Sequence, residues 1–202
     1  MDDPGAGLAE RLDEAAAALR DGALVVYPTE TVYGLGADAL DPDAIERVFE
    51  AKRRPRDEPL SLAVPDVDAA MAFVRPDAPD RVRAFAEAFL PGPVTVVAAK
   101  APEVPDALTG GRDRVGVRVP DHEVALALLE RVSPITATSA NVSGRPSATN
   151  VGELDPEIRE AAAVVIDGGE TPGGGSTVVD PERGVIHRRG ALAAAVEAWL
   201  DA

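Results

Sequence analysis

Ala23-Leu24-Val25-Val26-Tyr27 is a continuous apolar run that stops at Pro28 and opens into a polar stretch, Thr29-Glu30-Thr31-Val32-Tyr33-Gly34-Leu35-Gly36, that reads as a loop with two glycines. A strand apolar on both faces must be covered on both, so the run demands a sheet with helices packed against it. The helices are supplied. Leu8, Leu12, Ala15, Ala16 and Leu19 recur at helical spacing ahead of the stop signal Gly22. Asp41 followed by Pro42 is an N-cap with proline in the first turn, and Ile45, Val48 and Phe49 form the stripe that follows. Further strands are expected at 60–64, 94–99, 115–119 (with Arg118 at its end), 135–138, 164–166, 177–179 and 185–187. Further helices are expected at 66–74, 79–90, 123–132 and 191–200. Residues 100–113, with Pro102, Pro105, Gly110 and Gly111, read as a surface loop. The elements interleave without strict alternation, which predicts an α/β or α+β fold: an open mixed sheet with flanking helices, as one domain over 1–202.

Composition narrows the chemistry. Cys is 0 and His is 2, which removes disulfides, thiolate sites, a cysteine nucleophile and a multi-histidine zinc centre. No apolar run approaches the roughly 20 residues of a membrane span, and the acidic N-terminus does not resemble a signal peptide, so a cytoplasmic protein without a membrane partner is expected. The formal charge is −15, Lys occurs only at Lys52 and Lys100, and aromatics make up 3%. This pattern suits a halophilic protein kept soluble at high salt, although a GC-rich genome also favours Arg and Ala. Such a chain repels nucleotides unless its cations are concentrated. They are: Lys52-Arg53-Arg54-Pro55-Arg56 follows fifty residues that carry twelve acids and three arginines.

Polar residues gather at 28–36, 52–58, 112–118, 138–147 and 174–190, near strand ends. These segments either line one cleft or are ordinary turns built from the same residue types. The basic cluster is likewise either a phosphate site, with Arg as a planar fork and Lys as a point charge, or a solvated helix end favoured by the helix dipole. Gly173-Gly174-Gly175-Ser176-Thr177 lacks the Gly-Lys-Ser/Thr and the following helix of a Walker loop. Ser139 has no nucleophile-elbow pattern, and His122 and His187 read as structural. No carboxylate cluster marks a permanent metal site, whereas Mg²⁺ carried by nucleotide phosphates needs few protein ligands.

Seven segments in order carry a resemblance: Pro28–Leu35, Lys52-Arg53-Arg54-Pro55 with Pro59-Leu60, Pro91-Gly92-Pro93-Val94-Thr95, Val117-Arg118-Val119-Pro120, Thr138-Ser139-Ala140-Asn141-Val142-Ser143-Gly144, Ser176-Thr177-Val178-Val179-Asp180 and Arg188-Arg189-Gly190. From about residue 10 to residue 200 the chain resembles the YrdC family, the threonylcarbamoyl-AMP synthases. The resemblance implies a twisted α/β sheet with a concave, positively charged cleft. It implies a nucleotidyltransferase joining L-threonine, bicarbonate or CO2, and ATP (with Mg²⁺) into threonylcarbamoyl-AMP and pyrophosphate. A downstream transferase complex, with possible tRNA contact, would then modify tRNAs reading codons that begin with A. By the same resemblance Lys52 and Arg54 hold the triphosphate as the catalytic cations, and Ser139, Asn141, Ser147 and Arg188 surround the nucleotide. Thr31, Arg118 and Ser176 hold threonine, with Arg118 on its carboxylate and Thr31 on its hydroxyl.

The chain departs from the family pattern at Ala63, where some members carry a histidine, at Glu58, often an asparagine, and at Arg114, usually a small hydroxyl residue. Arg114 then either adds phosphate charge or faces solvent. At 202 residues the short, single-domain form is expected. Two other readings compete. A non-catalytic RNA-binding or ribosome-maturation module would be basic with exposed aromatics, which −15 and 3% oppose. Carbamoyl-adenylate handling of the hydrogenase-maturation type usually sits in a much longer chain.

Overall fold

The computed structural model describes residues 4–202, so residues 1–3 of the expected single unit, with Asp2 and Asp3 of the acidic count, lie outside the described residues. The helices are α1 (Pro4–Arg20), α2 (Pro42–Lys52), α3 (Val67–Ala72), α4 (Asp80–Phe89), α5 (Asp106–Thr109), α6 (Glu123–Leu129), α7 (Pro156–Ala161) and α8 (Ala193–Leu200). The strands are β1 (Leu24–Tyr27), β2 (Gly34–Gly36), β3 (Ser61–Ala63), β4 (Val94–Ala99), β5 (Arg114–Arg118), β6 (Ile135–Ser139), β7 (Ala162–Val165), β8 (Thr177–Asp180) and β9 (Val185–Arg188). They form one mixed sheet in the order β7-β1-β2-β6-β3-β5-β4-β8-β9. The pairs β1/β7, β3/β5 and β4/β8 are parallel, and the others are antiparallel.

Strand alternation divides the core. Leu24 and Val26 of β1 point into one apolar cluster with Ile45, Val48 and Phe49 of α2, while Val25 and Tyr27 point into another with α1 and α6. The uninterrupted apolar run is therefore a central strand covered on both faces. The second cover is incomplete. On the face shared with α1 and α6, Ser61, Thr95, Val97, Gly116, Arg118 and Val178 of β3, β4, β5 and β8 floor a cavity, and Ala63 of β3, itself part of the α1/α6 cluster, marks where the helical cover ends among the described residues. Cross-strand register brings Ser61 opposite Gly116, Ala63 opposite Arg118 and Thr95 opposite Val178.

Two local expectations are corrected. The 28–36 loop contains β2, whose glycines are required because a Cβ at Gly34 would lie 3.0 Å from Cζ of Tyr27 and one at Gly36 3.1 Å from its Cε1. Leu35 is the single apolar side chain in that strand, too little for a periodicity. Residues 100–113 are no surface loop: they contain α5, Val104 and Leu108 are buried, and the Leu108 carbonyl accepts from the Leu60 N–H at 2.8 Å. The helix α7 and the 3-10 turn Val151–Glu153 lie in a stretch for which the sequence reading named no element, where Ile158 and Leu154 supply isolated core contacts. Elsewhere the Asp41 N-cap is as expected, its carboxylate accepting from Asp43 N–H at 2.9 Å with proline following.

Candidate active site

The uncovered sheet face is the floor of a cavity of about 950 Å³ whose walls are the loops at strand ends. Although the chain is strongly acidic, the lining carries Arg54, Arg112, Arg114, Arg118, Arg183 and Arg188 against Glu58 and Asp113. Seven of the nine residues singled out from the sequence line it: Thr31, Arg54, Arg118, Ser139, Ser147, Ser176 and Arg188. Lys52 and Asn141 stand behind its wall.

Lys52 is at the end of α2, 2% exposed, and its ammonium donates to the carbonyl oxygens of Ser139 and, at 2.8 Å, Asn141. Burial, reinforced by repulsion from Arg54 and opposed by Asp155, lowers its pKa to about 8. Asn141 turns inward, its amide donating to the carbonyls of Val142 and Arg145 at 2.9 and 2.8 Å, and its carbonyl accepting from Ser147 at 3.4 Å. Asp155 fixes the same loop from outside, accepting from Val142 N–H and from Arg145, both at 2.8 Å. Lys52 and Asn141 thus shape the 139–147 loop that presents Ser139 and Ser147.

Arg54 donates to the Glu58 and Pro59 carbonyls at 3.1 Å each and meets the Glu58 carboxylate at 3.4 Å, so Glu58 is a partner at the cavity rim. Arg188 rests on Ser176, Nε to its carbonyl at 3.0 Å and Nη2 to its hydroxyl at 2.8 Å; that hydroxyl also pairs with Thr95 at 3.1 Å. Burial and then repulsion from Arg118 and Arg54 lower the pKa of Arg188, so three guanidinium fields meet here. Arg118 Nη2 donates to Glu30 at 2.6 Å and to the Thr31 hydroxyl at 3.1 Å. Thr29 commits its proton to the Val32 carbonyl at 2.7 Å, so in the Thr29–Thr31 contact of 3.0 Å Thr31 is the donor. Thr31 Oγ1 therefore has its proton used and one lone pair left, and toward the cavity it acts as an acceptor.

The sequence reading missed Glu30, Thr29 and Thr95, which are first seen as partners of Arg118, Thr31 and Ser176. Arg114 lines the cavity and does not face solvent. Its Nη2 donates to Asp180 and Glu182, both at 2.8 Å, which neutralises it and removes it from solvent. His122 caps α6, Nδ1 accepting from Val124 N–H at 3.2 Å, whereas His187 faces the cavity. Tyr33 ties the glycine-rich 168–175 loop to the wall, donating to the Gly169 carbonyl at 2.7 Å and accepting from Gly168 N–H at 3.0 Å. Among the described residues no group of three His, Cys, Asp or Glu side chains is placed to hold a metal, and no helix is long and apolar enough to cross a membrane.

An open sheet face floored largely by small residues and walled by guanidiniums and hydroxyls defines an α/β protein with an arginine-lined cavity. A family model described as "Telomere recombination" matches residues 17–190, and the chain belongs to this Sua5/YciO/YrdC family. It is 45% identical over 178 residues to a threonylcarbamoyl-AMP synthase of Pyrococcus abyssi, covering 85% of this chain and 52% of that protein. It is 41% identical over 166 residues to the threonylcarbamoyl-AMP synthase of Bacillus subtilis, covering 80% and 47%. Among solved structures, Pyrococcus abyssi Sua5 complexed with L-threonine superposes with a TM-score of 0.78 at 44% identity, covering 85% of this chain and 51% of that one. The chain thus spans about half the length of these relatives.

Proposed function

We propose that the chain is a threonylcarbamoyl-AMP synthase acting in the cytoplasm. The observation that carries this reading is the convergence of Arg54, Arg118 and Arg188 with Thr31 and Ser176 in one cavity. The threonine amine, as the free base, adds to CO2 derived from bicarbonate and releases one proton, giving a carbamate. A carbamate oxygen attacks the α-phosphorus of ATP, and pyrophosphate leaves with the bonding pair. Charge accumulates on the phosphates, so the protein's work is positioning and cationic stabilisation.

In this reading Arg54 and Arg188 grip the triphosphate, and Lys52 adds its charge from beneath the 139–147 loop. Ser139 and Ser147, with Asn141 setting the loop's shape, surround the nucleoside. Arg118 takes the threonine carboxylate, and Thr31, with an acceptor to offer, takes the hydroxyl proton, with Ser176 alongside. Mg²⁺ enters as part of the substrate Mg-ATP. The product passes to a threonylcarbamoyl transferase complex acting on tRNA. The RNA-binding alternative is disfavoured because these cations face into a cavity rather than outward. The synthase names of the relatives argue against the hydrogenase-maturation alternative.

The test is pyrophosphate release from Mg-ATP and bicarbonate with L-threonine, L-valine or no amino acid, with mass spectrometry for the adenylate. Threonine-dependent release with threonylcarbamoyl-AMP supports the proposal; no turnover from folded protein that binds ATP overturns it.

A further inference from the structure

The three guanidiniums whose fields meet in the cavity are not equivalent. Arg54 meets Glu58, a carboxylate 53% exposed and 3.4 Å away. Arg188 rests on two neutral oxygens of Ser176. Arg118 is held by Glu30 at 2.6 Å, with both side chains only 13% exposed. Glu30 is absent from the cavity lining, and it meets the same Arg118 Nη2 that donates to the cavity-lining Thr31. The contact is one-pronged: Arg118 Nε and Glu30 Oε2 are buried without a hydrogen-bond partner among the described residues. Arg118 therefore keeps unused donor capacity while its charge is locally offset.

That offset discriminates by ligand charge. A fixed carboxylate repels an incoming anion in proportion to the anion's charge, and away from bulk water the repulsion is weakly screened. A zwitterion with one carboxylate and one ammonium loses little. A multiply charged phosphate loses several times more. Two ligand classes share one cavity, and an uncompensated Arg118 would attract the phosphates as strongly as Arg54 and Arg188 do. Specificity of this kind is set by an element that repels the wrong ligand.

We infer that Glu30 is a specificity-determining residue: by offsetting Arg118 it reserves that guanidinium for the carboxylate of an amino-acid zwitterion and turns polyphosphate toward Arg54 and Arg188. The inference rests on the synthase reading for the identity of the amino acid, but its charge logic can be tested with inorganic pyrophosphate alone. Glu30→Gln preserves size and an acceptor for Arg118 Nη2 while removing the charge.

Calorimetric titration of the full chain at fixed ionic strength would compare sodium pyrophosphate and L-threonine, added separately and together. The wild type is expected to bind one pyrophosphate and to bind L-threonine with nearly the same affinity whether or not pyrophosphate is present. Glu30→Gln is expected to take a second pyrophosphate, which displaces threonine at least tenfold more effectively. The Glu30→Gln/Arg118→Gln double variant should return to one, and Glu30→Asp should behave as wild type. A folded Glu30→Gln protein with a single pyrophosphate and unaltered threonine competition overturns the inference. So does loss of threonine binding without gain of pyrophosphate, the signature of a merely structural pair. A wild type that binds pyrophosphate but no L-threonine would sink the synthase reading, while the pyrophosphate count still decides the role of Glu30.

Discussion

Lys52 donates from its ammonium to the carbonyl oxygen of Asn141 at 2.8 Å, across the base of the loop that carries Ser139 and Ser147. The contact joins the end of α2 to the end of β6 and makes a charged group part of the loop's foundation. Burial lowers the Lys52 pKa from 10.5 to about 8. Between those values the unfolded chain holds more protons at this residue than the folded one, so folding stability rises with pH across about 8 to 10.5. Below pH 8 the full cost applies, 10.5 − 8 = 2.5 pH units or about 3 kcal/mol. ATP affinity should move oppositely, falling as pH passes 8 and the cation is lost. Chemical denaturation of wild type and Lys52→Met from pH 7 to 10.5 tests the first sign, and nucleotide titration over the same range tests the second. A wild type whose ATP affinity stays flat through pH 9 would show that the ammonium charge is not used.

Arg54 and Arg118 should separate in their effects. Arg54→Ala is expected to weaken ATP binding by about 10- to 100-fold, the scale of one charge-assisted contact, with little change for threonine. Arg118→Ala should raise the threonine requirement by a similar factor and leave ATP nearly unchanged. Separate titrations of the two ligands decide this, and equal loss of both in either variant would contradict the assignment.

Much of this arrangement was legible in the sequence. The 23–27 run, the Asp41-Pro42 cap and the strand ending at Arg118 are local patterns with a single physical solution each, and all three appear in the fold. The polar segments at 28–36, 52–58, 112–118, 138–147 and 174–190 all contribute to one cavity. What escaped is non-local. Glu30 is one acid among many along the chain, and only the Arg118 contact, 88 residues away in sequence, distinguishes it. Lys52 and Arg54 look alike as cluster members, yet a two-residue step places one beneath a loop and the other in the lining. Gly34-Leu35-Gly36 is invisible as a strand because the Tyr27 ring, not a side-chain pattern, sets its composition.

Thr31→Val should erase discrimination for the amino-acid hydroxyl. In the wild type the remaining acceptor on Thr31 Oγ1 is satisfied only by a ligand that donates. A valine ligand leaves it unpaired, a difference of the order of 10- to 100-fold for one buried hydrogen bond. In Thr31→Val the ratio of threonine to valine in binding or pyrophosphate release should fall toward unity. A ratio retained at the wild-type value would move the hydroxyl contact to Ser176 or Thr95.

Gly190→Ala should be the most disruptive single methyl near the site. A Cβ there would overlap the Gly175 carbonyl oxygen and lie 2.6 Å from the Ser176 carbonyl carbon, contacts that only backbone movement relieves. The Ala191 N–H to Gly175 carbonyl bond of 2.9 Å and the Gly190 N–H to Thr177 hydroxyl bond of 3.0 Å hold the two segments at that spacing. Pushing them apart would cost about 1–3 kcal/mol, the range for overpacking. It would also withdraw Ser176 from Arg188, so both stability and ligand binding should fall. Thermal denaturation together with threonine titration measures the two effects, and a variant as stable as wild type with intact threonine binding would show that the strand edge yields freely.

Surface charge yields the last expectation. The formal charge is −15, and many ion pairs are between exposed side chains, such as Arg83 with Asp68 and Arg75 with Asp77. Exposed pairs contribute little individually, and salt screens them together with the net repulsion. With like charge in excess, the net screening effect favours the compact state, so stability should rise as KCl approaches molar concentration. Ligand binding pulls the other way, since phosphate held by Arg54 and Arg188 weakens with salt. Activity should therefore climb with KCl while folding limits it, and the ATP requirement should increase along the same series. A stability maximum in dilute buffer would refute the halophilic reading, because it would mean that the ion pairs outweigh the repulsion of the excess acids.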